Sequence, residues 1–325
     1  MNVVIIDVNN EMIELINENY VEGKTDNYKY VYTKTFIKWY AELYPSVVMG
    51  IYENNILIAT IIGRVVPTVL NNNHVNLAEI SFLCVHKTYR NNGLCPLLIS
   101  SVEDKMQDLG ATDAIFSTHH NMGKPLCGIN HMMRIINVRK IVSVGYLRCD
   151  THIDTLAEYY KIDPVKIKNK KLEKITHSNI EQAYNVYNKW YRNMDIYTNY
   201  TLPVFTQVML SDNIISYVML DNNVIVDMIS YYVVASCVTR RKVSMVDAYI
   251  YHYTNNRNCV HRLISLLLHY EGHKLDTITI PQTMNICCND FEDLKFVSTT
   301  CGYNYYLFKN KELTINANNM GIMLL

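Results

Sequence analysis

The chain states one order of elements twice. Residues 54–66 read "NNILIATIIGRVV" and are followed by "NLAEISFLCVH", "LCPLLISSVEDKMQDLG" and "DAIFSTHH". Residues 222–234 read "NNVIVDMISYYVV" and are followed by "VSMVDAYIYHY", "CVHRLISLLLHYEG" and "DTITIPQT". Each half reads as three strands, a helix and a further strand. The local match is best where "NNGLCPLLIS" at 91–100 stands against "NRNCVHRLIS" at 256–265. Self-similarity at this spacing predicts a duplicated unit. The short links between strands predict antiparallel neighbours, and the helix is the crossover to the last strand. The expected fold is α/β (α+β): two tandem halves with mixed, largely antiparallel sheets, related by pseudo-two-fold symmetry. At 325 residues the chain is long for one core. The stretch "KIDPVKIKNKKLEK" at 161–174 is lysine-rich without an apolar face and is taken as a solvated connection. It divides the chain into 1–160 and 161–325. Ser178 and Glu181 then form a capping-box pattern before a helix.

Within the first half, "EISFLCVHKTYRNNGLCPLLI" changes its period across a short basic hinge. Ile80, Phe82, Leu83, Cys84 and Val85 make a nearly unbroken apolar strand, expected to be buried on both faces. A helix starts near Leu94, with Pro96 in its first turn, where a missing N–H costs little. Leu98, Val102, Met106 and Leu109 form its core stripe, and Gly110 closes it. Between strand and helix lies "HKTYRNNG". A helix N-terminus carries unpaired N–H groups and a partial positive charge, and Lys87 and Arg90 add full charges. Gly93 lets a ligand approach the backbone. The combination suits a phosphate or diphosphate. At the equivalent turn Asn255 and Asn258 replace Arg90 and Gly93, so one half alone keeps the anion site.

Composition narrows the partners. The formal net charge is zero, which asks for neither nucleic acid nor an acidic membrane. No apolar run approaches the roughly 20 residues of a membrane span. The N-terminal "MNVVIIDVNN" lacks the basic start and long apolar stretch of a signal peptide. The nine cysteines show no CxxC, and no zinc-type spacing is present, so free thiols in a reducing cytosol are expected. His119-His120 reads as a polar strand end and not as half a metal site. The abundance of asparagine, isoleucine, tyrosine and lysine is what an AT-rich, viral genome would encode.

Arg90-Asn91-Asn92-Gly93-Leu94-Cys95 resembles the R/Q-x-x-G-x-G/A diphosphate loop of the GNAT acyltransferases, with Cys95 in place of the last small residue. The longer stretch from Glu79 to Ile99 resembles the signature of the protein N-myristoyltransferases, a duplicated form of the GNAT-like fold. Further matches are "NENYVE" at 17–22, "GKP" at 123–125, "VRK" at 138–140, "DMISYY" at 227–232, "DLKF" at 293–296 and "YNYYLF" at 303–308. The short apolar tail that ends on Leu325 is a family trait as well.

The resemblance implies transfer of a myristoyl group from myristoyl-CoA, as co-substrate, to the N-terminal glycine amine of a peptide or protein. It implies no metal and no prosthetic group, and a monomeric, cytoplasmic enzyme. It places coenzyme A along Phe82, Leu83, Cys84, Val85, Lys87, Arg90, Asn91, Asn92, Gly93, Leu94, Cys95 and Pro96. The backbone N–H groups of Phe82 and Leu83 become the oxyanion hole, and the Leu325 α-carboxylate becomes the base. Carried-over peptide-groove positions are Val21, Tyr28, Tyr30, Tyr32, Ser81, Ser117, His131, Tyr232, Ser236 and Leu324.

The chain departs from the family at several of these. Glu22-Gly23-Lys24-Thr25-Asp26 stands where two or three acidic residues are usual. Ser81 replaces an asparagine and His131 a tyrosine. The segment that lies over coenzyme A in the family has no match before residue 12. Two alternatives follow: an N-acetyltransferase of the wider fold, and an acyl-CoA-binding decoy without turnover.

Overall fold

The computed structural model describes residues 2–20, 28–148, 150–161, 170–238, 243–256 and 260–324. One long sheet runs through them. Its order is Val3–Ile5, Ser46–Glu53, Ile56–Leu70, Asn73–Val85, Asp113–Thr118, Val297–Leu307, Cys127–Ile135, Thr277–Pro281, Val243–Tyr253, Val224–Val238, Ile215–Asp221 and Lys170–Lys174. From either end the path is the same: five strands of one half, then the last long strand of the other. Val297–Leu307 sits between two first-half strands, and Cys127–Ile135 pairs with Thr277–Pro281. The exchanged strands pair with each other at the centre.

Pairing along this path is antiparallel except at the two helix crossovers. Asn73–Val85 runs parallel to Asp113–Thr118, and Val243–Tyr253 runs parallel to Thr277–Pro281. The repeat is visible down to its turns. Asn54 and Asn55 have φ of 49° and 64°, and Asn222 and Asn223 have 51° and 64°. Both pairs make the two-residue hairpin turn with left-handed φ at both central positions, which asparagine tolerates.

The helix Leu94–Asp108 buries Leu94, Leu98, Val102 and Met106 against the first-half strands. Each such side chain contributes about 2 kcal/mol of burial. Gly63 permits the close approach, since a Cβ there would meet Met106 and Val102 at 2.9 Å. Leu109 does not belong to the stripe: it is the C-cap residue and is 41% exposed. Gly110 follows it with φ of 88°, as a helix-ending glycine should. The second-half helix, Val260–Glu271, is buried on several sides through Leu263, Ile264, Leu266, Leu267 and Leu268.

Two local expectations are corrected. Lys170–Lys174 is not a solvated connection but an edge strand paired with Ile215–Asp221, because Leu172 turns into the core. Residues 162–169 of that stretch lie outside the described residues. The capping box at Ser178 does not form. The helix is Ile180–Tyr191 with Asn179 at its N-cap, and the Asn179 side chain accepts instead from the Thr176 N–H at 2.8 Å. Among the described residues no helix is long and apolar enough to cross a membrane.

Candidate active site

The strand Asn73–Val85 is broken in register at one point. Ser81 pairs with Ile62 and Cys84 with Thr60, so Phe82 and Leu83 together face one residue. This is a β-bulge, which takes its extra residue out of the ladder. Phe82 has φ of 50°. A left-handed aromatic residue costs of order 1–3 kcal/mol and persists only where the surroundings hold it. Phe82 is 2% exposed, and the rings of Tyr20, Tyr32 and Tyr40 lie 6.2, 5.1 and 5.6 Å from it. Tyr40 is itself fixed by the Arg64 guanidinium, 3.7 Å from its ring centre. Arg64 is buried and donates to Glu79 through Nε at 2.7 Å and Nη2 at 2.5 Å. The bulge thus stands on a packed aromatic cage with a sealed ion pair behind it.

The hinge after this strand ends in a helix N-terminus without a side-chain cap. Gly93 is the N-cap, with φ of 74° and no atom within 4 Å of where a Cβ would stand. Arg90, by contrast, is engaged. It donates to the Val85 carbonyl at 3.3 Å and to the Asn19 carbonyl at 2.6 Å. The Lys87 N–H donates to Asn19 Oδ1 at 3.1 Å. Asn19 of "NENYVE" therefore ties the first helix, Asn10–Asn19, to the basic loop. Cys84 and Cys95 lie in this region, and burial pushes the Cys84 thiol up to about 12, which makes it a poor nucleophile.

The short strand Tyr28–Val31 lies along Ala235–Val238. Its alternation sends Tyr28, Tyr30 and then Tyr32 to one side. The Tyr28 hydroxyl donates to Asp247 Oδ2 at 2.7 Å, and the hydroxyls of Tyr30 and Tyr249 are 2.6 Å apart. Tyr32 reaches the Phe82 ring, and Phe36 carries the contact on to Tyr232 at 5.8 Å. Ser236 donates to the same Asp247 oxygen as Tyr28.

Tyr232 and Tyr249 stack at 5.5 Å and line a cavity of about 40 Å³ with His131, Tyr305, Met323 and Leu324. The C-terminal segment enters here. Met320–Gly321 pairs with Ile196–Thr198, and Ile322 and Met323 are buried. Leu324 lines the cavity beside Tyr305, whose hydroxyl burial holds above its ordinary pKa. Ser117 stands opposite Tyr305 in the neighbouring strand.

Of the residues singled out in the sequence, Phe82, Tyr28, Tyr30, Tyr32, Tyr232, Ser236, His131, Ser117 and Leu324 are thus joined by direct contact or lie around one cavity. Ser81 is on the strand beside Phe82. The stretch Lys87 to Pro96 follows directly after that strand, beyond Val85. Val21, Leu325 and Asn258 lie outside the described residues. Sequence reasoning missed Tyr249, Tyr305 and Asp247. Tyr305 was inside a quoted motif. Tyr249 and Asp247 share the alternation of "VSMVDAYIYHY", whose one acidic residue was the available signal. Among the described residues no group of three or more His, Cys, Asp or Glu side chains could hold a metal.

Comparisons with known proteins agree on one family. Residues 2–129 match the family model "Myristoyl-CoA:protein N-myristoyltransferase, N-terminal domain" and residues 143–321 the C-terminal domain of the same family. A glycylpeptide N-tetradecanoyltransferase of Plasmodium falciparum is 27% identical over 97% of this chain and 79% of its own length. A probable glycylpeptide N-tetradecanoyltransferase of Caenorhabditis elegans is 28% identical over 97% of this chain and 73% of its own. The crystal structure of Saccharomyces cerevisiae N-myristoyltransferase with bound myristoyl-CoA superposes with a TM-score of 0.85, at 21% identity, over 100% of this chain and 89% of that one. At that identity the likeness is one of fold.

Proposed function

The chain belongs to the myristoyl-CoA:protein N-myristoyltransferase family, and on that premise we propose that it moves a myristoyl group from myristoyl-CoA to the N-terminal glycine amine of a protein. The observation that carries the reading is the strained bulge at Phe82. A left-handed phenylalanine is held at a cost, and the bulge takes Phe82-Leu83 out of the regular ladder; we assign their backbone N–H groups to the oxyanion hole. Aimed at the thioester oxygen, they stabilise the negative charge that develops as the amine adds. The uncapped N-terminus after Gly93 receives the coenzyme A diphosphate. Lys87 adds charge there, while Arg90 shapes the loop through Asn19 and Val85.

The peptide lies between Tyr28–Val31 and the cavity under Tyr232 and Tyr249. Its amine arrives largely as an ammonium, with a pKa near 7.7–8.0. A base must take one proton before nitrogen attacks the acyl carbon. Leu324 lines this cavity, and Leu325 is the next residue in the chain. Leu325 is therefore assigned as the base. The C–N bond forms, the C–S bond breaks, and the nitrogen's second proton passes to the departing sulfur, so coenzyme A leaves as its thiol. Residues 1–160 hold the acyl-CoA in this scheme, and 161–325 supply the base and most of the groove. Cys84, Cys95, Cys127, Cys237, Cys287 and Cys288 are free thiols, in keeping with a reducing cytosol, and the enzyme acts as a monomer.

A thermal-shift and turnover pair tests the proposal. Myristoyl-CoA at 100 times its Kd should stabilise the protein by about 2.7 kcal/mol, and acetyl-CoA at the same concentration much less. A peptide beginning with glycine should then be acylated, and one beginning with alanine should not. Equal stabilisation by both thioesters points to an acetyltransferase. Stabilisation by myristoyl-CoA with no turnover on any glycine peptide points to a decoy. Either outcome overturns the assignment.

A further inference from the structure

Behind the strained bulge lies an ion pair that stability alone does not call for. Arg64 and Glu79 are cross-strand partners just ahead of the bulge, and they are 1% and 3% exposed. Taking two charges out of water costs much of what their attraction returns, and a packed apolar pair in such a place is often as stable. The guanidinium is engaged at its edges and over its face. Nε and Nη2 donate to one Glu79 oxygen, and Nη1 donates to the Tyr40 carbonyl at 3.2 Å. Its central carbon lies over the Tyr40 ring, 3.7 Å from the ring centre, with the Tyr44 ring 5.5 Å away. Arg64 therefore grips Tyr40 by backbone and by ring together, and Glu79 fixes Arg64.

Tyr40 passes this rigidity on. Its ring meets the Phe82 ring at 80°, with 5.6 Å between centres. The other two rings against Phe82 belong to Tyr20 and Tyr32, which are partly exposed, whereas Tyr40 is 1% exposed. Tyr40 is thus the fixed wall of the cage. A left-handed phenylalanine persists only where its surroundings over-determine it. We propose that Arg64, Glu79 and Tyr40 are positioning residues: the sealed ion pair locks the Tyr40 ring, the ring holds Phe82 in its left-handed conformation, and the three together set the aim of the Phe82 and Leu83 N–H groups at the acyl carbonyl. This rests on the oxyanion-hole assignment above. None of the three touches the reacting atoms in this scheme. They act on the transition state alone, because a hydrogen bond to a developing oxyanion gains most when its geometry is set beforehand.

Two variants loosen the wall in different ways. Tyr40→Leu removes the ring and keeps the ion pair. Arg64→Met combined with Glu79→Leu removes the pair without leaving a lone buried charge, an exchange that folded proteins tolerate. Each should lower kcat on a glycine peptide by about ten- to a hundred-fold, with kcat/KM falling equally and myristoyl-CoA affinity changed by no more than about three-fold. Tyr40→Phe restores the ring and should recover kcat to within about three-fold of wild type. Phe205→Leu, in the second-half core and fully buried, is the control for lost stability and should leave kcat alone. The second readout is the isotope-edited infrared band of the thioester carbonyl in bound myristoyl-CoA. Wild type should hold it below its position in an apolar solvent, and the two loosened variants should let it return toward that position. Wild-type kcat and an unmoved band in both loosened variants overturn the proposal. Equal losses in Phe205→Leu also overturn it, because they reduce the effect to general destabilisation. A wild-type band at its apolar-solvent position removes the oxyanion hole and the proposal with it. If wild type acylates no glycine peptide, it is the transferase reading that fails, and the band, which needs only bound thioester, still decides on Arg64, Glu79 and Tyr40.

Discussion

In the first half, the helix after the bulged strand begins at a left-handed glycine with no side chain over its N–H groups. In the second, the equivalent helix begins under Asn255, whose Oδ1 accepts from the Val260 N–H at 3.0 Å. The strands differ in the same sense. The first-half bulge strains Phe82 to a positive φ. The second-half pair is bulged too, between Ser230 and Tyr231, but its backbone φ values stay negative and the Ser230 hydroxyl accepts from the His252 N–H at 3.1 Å. Duplication gave two copies of a device that exposes backbone donors. One copy kept them open, and the other satisfied them with its own side chains. A filled copy is capped by its own side chains, and the open one carries strain and is the proposed anion site. The second half contributes instead the C-terminal residues that close the cavity.

That division of labour is broken most severely at the tail. Deleting Leu325, or extending the chain beyond it, should lower kcat by about 10²–10⁴ while myristoyl-CoA binds as before, because it removes the proposed base and none of the proposed acyl-CoA contacts. Single-turnover rates and a separate binding titration measure the two effects. Full turnover by a C-terminally extended protein would sink the assignment and return attention to His131 and Ser117.

The next largest effect compares the two helix N-termini. Gly93→Val places a β-branched residue at φ of 74° and fills the space over the open N–H groups. Loss of one charge-assisted hydrogen bond or more should weaken myristoyl-CoA binding about ten- to a hundred-fold. Asn255→Ala should leave that affinity alone and lower stability by about 1 kcal/mol, as a lost cap does. A matching affinity loss in Asn255→Ala would show that both termini bind ligand, and the comparison would collapse. Arg90→Ala belongs here as well. Its guanidinium is engaged by Val85 and Asn19, so its loss should act by loosening the loop and cost less than Gly93→Val.

These sites differ in how far the sequence announces them. Repeat, hairpins and crossovers were legible because Asn-Asn turns and apolar periods are local signals. The open helix terminus was legible because glycine before an apolar helix has few other uses. The bulge was not. Nothing in Ser-Phe-Leu-Cys predicts a left-handed phenylalanine, since the residue type disfavours it and three distant tyrosines enforce it. The strand exchange was equally hidden. Cys127–Ile135 and Val297–Leu307 read as ordinary strands of their own halves, and their partners are chosen by packing far along the chain. Arg90 read as a free charge, because its partners are backbone carbonyls that carry no sequence signature.

A third test uses acid. His252, in the aromatic core of the second half, has the rings of Tyr187, Tyr191, Tyr200 and Tyr251 around it. Burial pushes its pKa down to about 3. Its native value lies below the unfolded value of about 6.5, so the unfolded chain binds the extra proton. The stability this gives is complete above pH 6.5 and falls progressively toward pH 3, by about 2 kcal/mol between pH 7 and pH 5. His252→Phe should flatten that part of the urea-midpoint profile. An unchanged profile would place the acid sensitivity elsewhere.

The smallest effect tests where the halves are alike. Asn54-Asn55 and Asn222-Asn223 hold the same left-handed turn, and glycine adopts that conformation at no steric cost. Asn55→Gly and Asn223→Gly should therefore each change stability by no more than a few tenths of a kcal/mol, since glycine relieves the left-handed strain but gives the unfolded chain more freedom to lose. The two shifts should match in sign and size. Asn55→Ala and Asn223→Ala should each cost about 1 kcal/mol or more, because alanine is strained at that φ. Neither pair should alter myristoyl-CoA affinity. If one turn tolerates alanine and the other does not, the halves have diverged in their scaffold as well as in their chemistry. The filled second copy would then no longer serve as the control against which the open first copy is read.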